Sequence, residues 1–219
     1  TMGERLLTEP RILLDYLQRI LLPRAGGLSV FHDDYPVSRG WLQPPATALA
    51  IAVIAAALAS AWALRRRAPV FAFAVLWFFA GHLLESTVIA LELYFEHRNY
   101  LPMVGPLFAL AYTAATMRAP WQALARGLLA IWIVAFTGLT WMNAGIWGDR
   151  GLLANVWLAE RPHSLRAIQM VASYQHDSGD DAAAARTLDA GIASLPEGEE
   201  LVFQRALLPR DLRGGIEML

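Results

Sequence analysis

The sequence predicts an all-α membrane protein. It would have a bundle of four transmembrane helices, an amphipathic interfacial helix before the bundle and a helical-hairpin domain after it. Three observations lead there. Hydrophobic residues make up 56% of the 219 positions and charged residues only 17%, whereas soluble domains carry about 25% charged residues. Four nearly uncharged segments approach the ~20 residues that a bilayer-spanning helix requires. After Trp147 the composition turns polar, and short helix-period segments replace the long apolar ones.

Residues 1–43 come first. "TEPRILLDYLQRILLP" reads as a helix with Thr8 as N-cap, Pro10 in its first turn and a stop at Pro23. Arg11, Asp15 and Arg19 recur at every fourth position and form a polar stripe on an otherwise apolar helix. Such a helix lies in a membrane interface or packs on the spans. Gly26 and Gly27 then open a turn-rich loop that is acidic at Asp33 and Asp34.

The membrane region is expected over 44–148, with spans at about 44–64, 68–91, 101–117 and 127–147. The first has no charge and stops abruptly at Arg65, Arg66 and Arg67. The second carries His82 and Glu85. The third is short, with Gly105 and Pro106 near its start. The fourth has tryptophans towards both ends, where an interfacial belt places them. The connectors "RRR" and "RAPWQALAR" fall on one side, and the excess of arginine makes that side cytoplasmic. All 18 basic residues are arginine, as in a GC-rich bacterial genome. The expected location is therefore a bacterial inner membrane, multi-pass, with the N-terminal loop and C-terminal domain in the periplasm.

Residues 149–219 form the third part. Pro162 and Pro196 lie one tetratricopeptide period apart, and Ala172, Gly179, Asp180, Ala184, Leu188 and Gly191 occupy the small and apolar positions of such a repeat. The reading is two antiparallel helices, Ser164–Asp177 and Asp181–Ser194, joined at Ser178-Gly179-Asp180. Leu152–Glu160 reads as half of a preceding repeat and Glu199–Leu208 as half of a following one. Fewer than three repeats seldom stand alone, so the array is expected to be cut short or to dock on the membrane part.

Composition also excludes functions. The absence of cysteine removes disulfides, thiolate metal sites and a cysteine nucleophile. A net charge of −1 argues against a nucleic-acid partner held by phosphate neutralisation.

The chemistry-bearing stretch is "ELYFEHRNYLP". On one helix from His82 to Glu96, the side chains of His82, Glu85, Glu92 and Glu96 would share a single face. Ionisable groups at membrane depth turn to a bundle interior or a wet cavity. Glu92 and Glu96 read equally as solvated interfacial residues. His82 and Glu85, at i and i+3, could hold a divalent metal, but only two ligands are visible. Asn99 and Pro102 end the helix, leaving His97 and Arg98 in a bend. Arg98 suits planar, two-pronged binding of phosphate or carboxylate, His97 can move a proton, and Tyr100 suits headgroup depth. The plainer alternative is an ion pair from Arg98 to Glu96 or Glu92.

The N-terminal helix and loop, the spans, the Glu96, His97, Arg98, Tyr100, Leu101 and Pro102 element and the tetratricopeptide tail together resemble the later part of bacterial polytopic glycosyltransferases of GT-C type, relatives of the TMTC-type protein O-mannosyltransferases. The resemblance covers essentially the whole chain. It implies transfer of a sugar from a polyprenyl-phosphate donor to a protein or envelope acceptor on the periplasmic side, and it leaves a divalent metal open. Donor-binding candidates are then Arg98, His97, Glu96, Tyr100, Glu92 and His82, with the bilayer and a protein held by the repeat domain as partners. Catalysis in such enzymes uses an acid in the first outer loop after a first span. Nothing before Pro44 reads as that span, so the base is expected on a preceding half and the chain is expected to be inactive alone. Asp33, Asp34 and Glu85 stand as substitute catalytic candidates.

Two other functions fit the same residues. One is a non-enzymatic, membrane-anchored tetratricopeptide scaffold for envelope or pilus assembly. The other is an O-antigen-ligase-like enzyme, for which the loop around Glu92–Pro102 is short.

Overall fold

A computed structural model describes residues 1–24, 26–27, 29–83, 93–195 and 198–209. Among them are nine α-helices and no β-strand. They form two compact units: residues 1–25 with 36–140, and residues 26–35 with 141–219.

In the first unit, α1 runs Met2–Leu21 and begins earlier than expected. Thr1 and Glu4 form a reciprocal capping box, which satisfies two otherwise orphaned backbone donors. Thr8 is therefore interior rather than a cap. Its hydroxyl donates to the Glu4 carbonyl (2.7 Å) and accepts from Ser38 N (2.8 Å). Ser38 Oγ in turn meets Thr47 Oγ1 at 2.8 Å, so buried hydroxyls join α1 to the start of α2, Ala46–Leu64.

Helix α2 and α5 (Trp121–Trp147) are each long and apolar enough to cross a membrane. Their 19 and 27 residues extend about 28 and 40 Å against a hydrocarbon core of about 30 Å. Not one residue of α5 is buried within the chain. A helix apolar all round is normally covered by protein or lipid. The sequence places its start at Gly127. Instead it starts six residues earlier, just after Pro120, and Gln122 and Arg126 donate to the Ala114 and Ala115 carbonyls of α4 at 3.3 to 3.5 Å.

Helices α3 (Pro69–Leu83) and α4 (Val104–Thr116) are shorter. The 13 residues of α4 reach about 20 Å, less than the expected third span needs. Residues 84–91 of the expected second span lie outside the described residues. The pair is antiparallel and close: a Cβ on Gly81 would stand 2.9 Å from Pro102, and one on Gly105 2.9 Å from the Ala74 carbonyl. Trp77 Nε1 also donates to the Leu101 carbonyl at 2.9 Å.

The second unit holds α6 (Arg150–Glu160), α7 (Leu165–Asp177), α8 (Asp181–Ser194) and α9 (Glu199–Leu207). Asp149, Ser164 and Asp180 cap the first three through their side chains. Gly179 takes φ +83° and closes α7 with hydrogen bonds from Gly179 N to His176 O and from Asp180 N to Gln175 O, a Schellman end. Ile168, Ala172, Ala184, Leu188, Leu201 and Leu208 build one core. Gly191 lets α8 close in, since a Cβ there would lie 2.8 Å from Ile168. A second cluster of Leu153, Trp157 and Ala167 receives Val30 and Phe31 from the 26–35 segment.

Candidate functional site

The segment around Arg98 is organised by α1. Phe95 is extended (φ −155°, ψ 118°), so no single helix runs from His82 to Glu96. The physical reason is a tertiary bond that replaces the helical one. The Tyr16 hydroxyl donates to Phe95 O at 3.0 Å and accepts from Phe95 N at 2.7 Å. Both backbone groups of Phe95 are thereby satisfied without a helix. A short 3-10 helix, Glu96–Asn99, follows.

Tyr16 is 1% exposed and is the hub. Its ring stacks on His82 (5.5 Å, 23°) and meets Tyr94 edge-on at 4.9 Å. His82 is equally buried; its Nδ1 lies 3.0 Å from the Phe78 carbonyl one turn earlier. The Tyr94 hydroxyl donates to Asp15 Oδ2. Arg19 Nε lies 3.3 Å from that same oxygen, its Nη1 3.6 Å from Glu96, and its guanidinium over the Tyr94 ring at 5.6 Å. Burial pushes the Tyr16 hydroxyl above its ordinary range, against the pull of Phe95 and Arg98. Burial, and then the bond to Asp15, does the same to Tyr94. Both phenols remain neutral donors around pH 7.

Arg98 is 9% exposed and, with Glu96 and Glu9, sets the field at Tyr16. A guanidinium so far from water requires anionic or acceptor groups around it. His82 thus stacks on Tyr16, while Glu96 and Arg98 act on its hydroxyl through their charges. His97 is exposed with its ring against Phe95 at 4.3 Å, and Tyr100 is 72% exposed. Glu85 and Glu92 lie outside the described residues. Glu96 pairs with Arg19.

Asp33 and Asp34 belong to the second unit, where they fasten the 26–35 segment. Asp33 accepts from Ser164 Oγ at 2.5 Å and from Arg166 N at 3.4 Å. Asp34 pairs with Arg161 at 3.2 Å, and Arg161 also reaches His32 Nδ1 at 3.0 Å. The Glu160 carboxylate takes the backbone N–H groups of Gly27 and Ser29 at 2.8 and 2.9 Å. Both aspartates hold structure in this geometry. The same unit presents a groove of about 710 Å³ between α7 and α9, lined by Gln169, Ser173, Glu200, Phe203 and Leu207 among others. Among the described residues no three His, Asp or Glu side chains are grouped to hold a metal ion.

Sequence reasoning missed Tyr16, Tyr94 and Glu9, and it placed Asp15 and Arg19 on a helix that either lies in the membrane interface or packs on the spans. The one available signal was the Arg11, Asp15, Arg19 stripe. It serves contacts within the chain, since Arg11 donates to Pro36 O and Ser38 Oγ at 2.9 and 3.2 Å. Comparison with protein-family models, with curated proteins and with solved structures gives no match to this chain.

Proposed function

We propose that the chain is the C-terminal half of an integral membrane glycosyltransferase that moves a sugar from a polyprenyl-phosphate donor to a protein or envelope acceptor. The observation that carries the reading is the burial of Arg98 on the segment that Tyr16 holds at Phe95, with His82 stacked on the same Tyr16 ring. Departure of a lipid phosphate develops charge that a fixed, poorly hydrated cation stabilises well. Arg98 is that cation, and its segment is pinned by Tyr16 and by the Asp15–Arg19–Glu96 network rather than left to solvent. His97, exposed on the same short helix, is the group able to exchange a proton with the acceptor side.

In this reading α2 and α5 span a bacterial inner membrane, with α3 and α4 completing a four-helix membrane region. Helices α6 to α9 form a tetratricopeptide-like periplasmic domain, and the α7–α9 groove receives the acceptor protein. The test is Arg98→Gln in a full-length protein, assayed with a purified polyprenyl-phosphate sugar. Transfer should fall by at least about a hundredfold while insertion and helix content stay unchanged. Undiminished transfer removes Arg98 from the site.

The second reading, a membrane-anchored scaffold, is favoured by the α7–α9 groove together with the complete structural engagement of Asp33 and Asp34. A full-length protein that transfers no sugar yet retains an envelope protein through that groove would establish it.

A further inference from the structure

We infer that the end of the first unit opposite Arg98 is a binding site for an anionic phospholipid headgroup, formed by Arg66, Arg67 and Arg118. The placement follows from the antiparallel α3–α4 pair. Gly81 faces Pro102, Ala74 faces Gly105 and Phe73 meets Phe108 (5.8 Å), so positions descend along α3 as they ascend along α4. The Pro69 end of α3 therefore lies with the C-terminal end of α4. Arg65–Arg67 immediately precede Pro69, in a turn closed by hydrogen bonds from Arg67 N and Ala68 N to Leu64 O at 2.9 and 2.7 Å. Arg118 lies two positions beyond Thr116, the last residue of α4, and Arg126 donates to the Ala114 and Ala115 carbonyls in its last turn. Five guanidiniums thus collect at one end of the apolar helices.

Two of the five are engaged locally. Arg65 lies over the Trp62 ring at 4.0 Å and donates to the Trp62 carbonyl at 2.6 Å, and Arg126 is held by α4. Arg66, Arg67 and Arg118 are exposed and make no ion pair among the described residues. No compensating acid is near in sequence either: residues 36–83 and 97–148 contain no aspartate or glutamate. Trp62 and Trp121, both well exposed, flank the cluster at the level where aromatic rings meet headgroups.

This composition selects among headgroups. A zwitterionic lipid brings an ammonium as well as a phosphate, and nothing acidic at this end receives the ammonium. A headgroup with net negative charge, such as phosphatidylglycerol, offers its phosphate oxygens to the guanidiniums and brings no ammonium with it. The site rests on reading α2 and α5 as membrane spans, but it does not depend on Arg98 or on sugar transfer.

The experiment uses the full chain in neutral detergent. Its thermal midpoint is followed by circular dichroism with added phosphatidylglycerol, phosphatidylcholine or inorganic phosphate. At a hundredfold excess over its Kd, phosphatidylglycerol should raise the midpoint by about 5 °C, with no shift from the other two. The Arg66→Gln/Arg67→Gln/Arg118→Gln variant should lose that shift, and Arg39→Gln, before α2, should keep it. An equal effect of phosphatidylcholine overturns the inference, as does an equal effect of phosphate or a full response from the triple variant. A chain that remains soluble without detergent would instead overturn the membrane reading itself.

Discussion

Where α7 meets α8, the contact is made by Ala172, Ala184, Leu188 and Gly191, all apolar or absent side chains on regular helices. Where α1 meets the Tyr94–Asn99 segment, the contact is made by Tyr16, Asp15, Arg19 and Glu96, and the facing backbone is not helical. The first interface depends on shape and area, which tolerate any polar surroundings. The second depends on a few directional bonds held away from water, which fail singly. Recognition chemistry belongs with the second kind, because directional bonds fix a charged group in place at the cost of packing tolerance.

The largest effect is expected where packing is tightest. Leu188 is fully buried, so Leu188→Ala should cost about 3 kcal/mol, the cavity term included. Hydrogen exchange should show the amides of α7 and α9 losing protection while those of α3 and α4 keep theirs. Equal loss in both units would mean that they unfold as one. Next comes Glu160→Ala, which removes the carboxylate that receives Gly27 and Ser29. About 2 kcal/mol is expected for charged hydrogen bonds of this kind. Faster exchange should appear at Gly27 and Ser29, whereas the α7–α8 core stays protected.

Tyr16→Phe tests the directional interface with the ring stack intact. Losing the hydroxyl leaves Phe95 N without its acceptor and Phe95 O with only the Arg98 N–H at 3.3 Å, for about 1.5 kcal/mol. The pH dependence sharpens the same point. Tyr16 and Tyr94 both titrate higher in the folded chain than in the unfolded one. Their contribution is therefore complete below the ordinary phenol pKa of about 10 and is lost as pH rises above it. Unfolding at pH 11 should be markedly easier than at pH 8, and less so in Tyr16→Phe. A variant with an unchanged alkaline limb would show that Tyr16 does not titrate with unfolding.

The same contrast explains what could be read from the chain beforehand. Asp181–Ser194 is the helix its sequence indicates, because its cap, its apolar period and its stop are all local. The end of α2 at the arginine run is legible for the same reason. The start of α1 is misjudged because two signals compete: Thr8 before Pro10 resembles a beginning, but the Thr1–Glu4 box lies one turn and more upstream. The extended Phe95 could not be foreseen, since the hydroxyl that straightens it sits 79 positions away. The polar element at Glu96–Pro102 marks the candidate site in the sequence. Its second half, on α1, carries only a stripe that also suits a helix lying on a membrane. Asp33 and Asp34 look reactive as an acidic pair in a loop, and their partners Ser164 and Arg161 come from a distant part of the chain.

The smallest expected effect is at Asp180, whose carboxylate accepts from Ala183 N at 2.8 Å to begin α8. Asp180→Ala removes that acceptor but not the backbone N–H that closes α7 on Gln175. The loss should be about 1 kcal/mol, the usual value of an N-cap, visible as faster exchange at Ala183. Because the bond is local and solvent-exposed, its value should not change between detergent micelles and bilayers. Tyr16→Phe, by contrast, acts on a buried group whose surroundings a bilayer can alter. Measuring both variants in the two media therefore separates the interface built on local caps from the one built on buried directional bonds. A medium-dependent Asp180→Ala would remove that distinction.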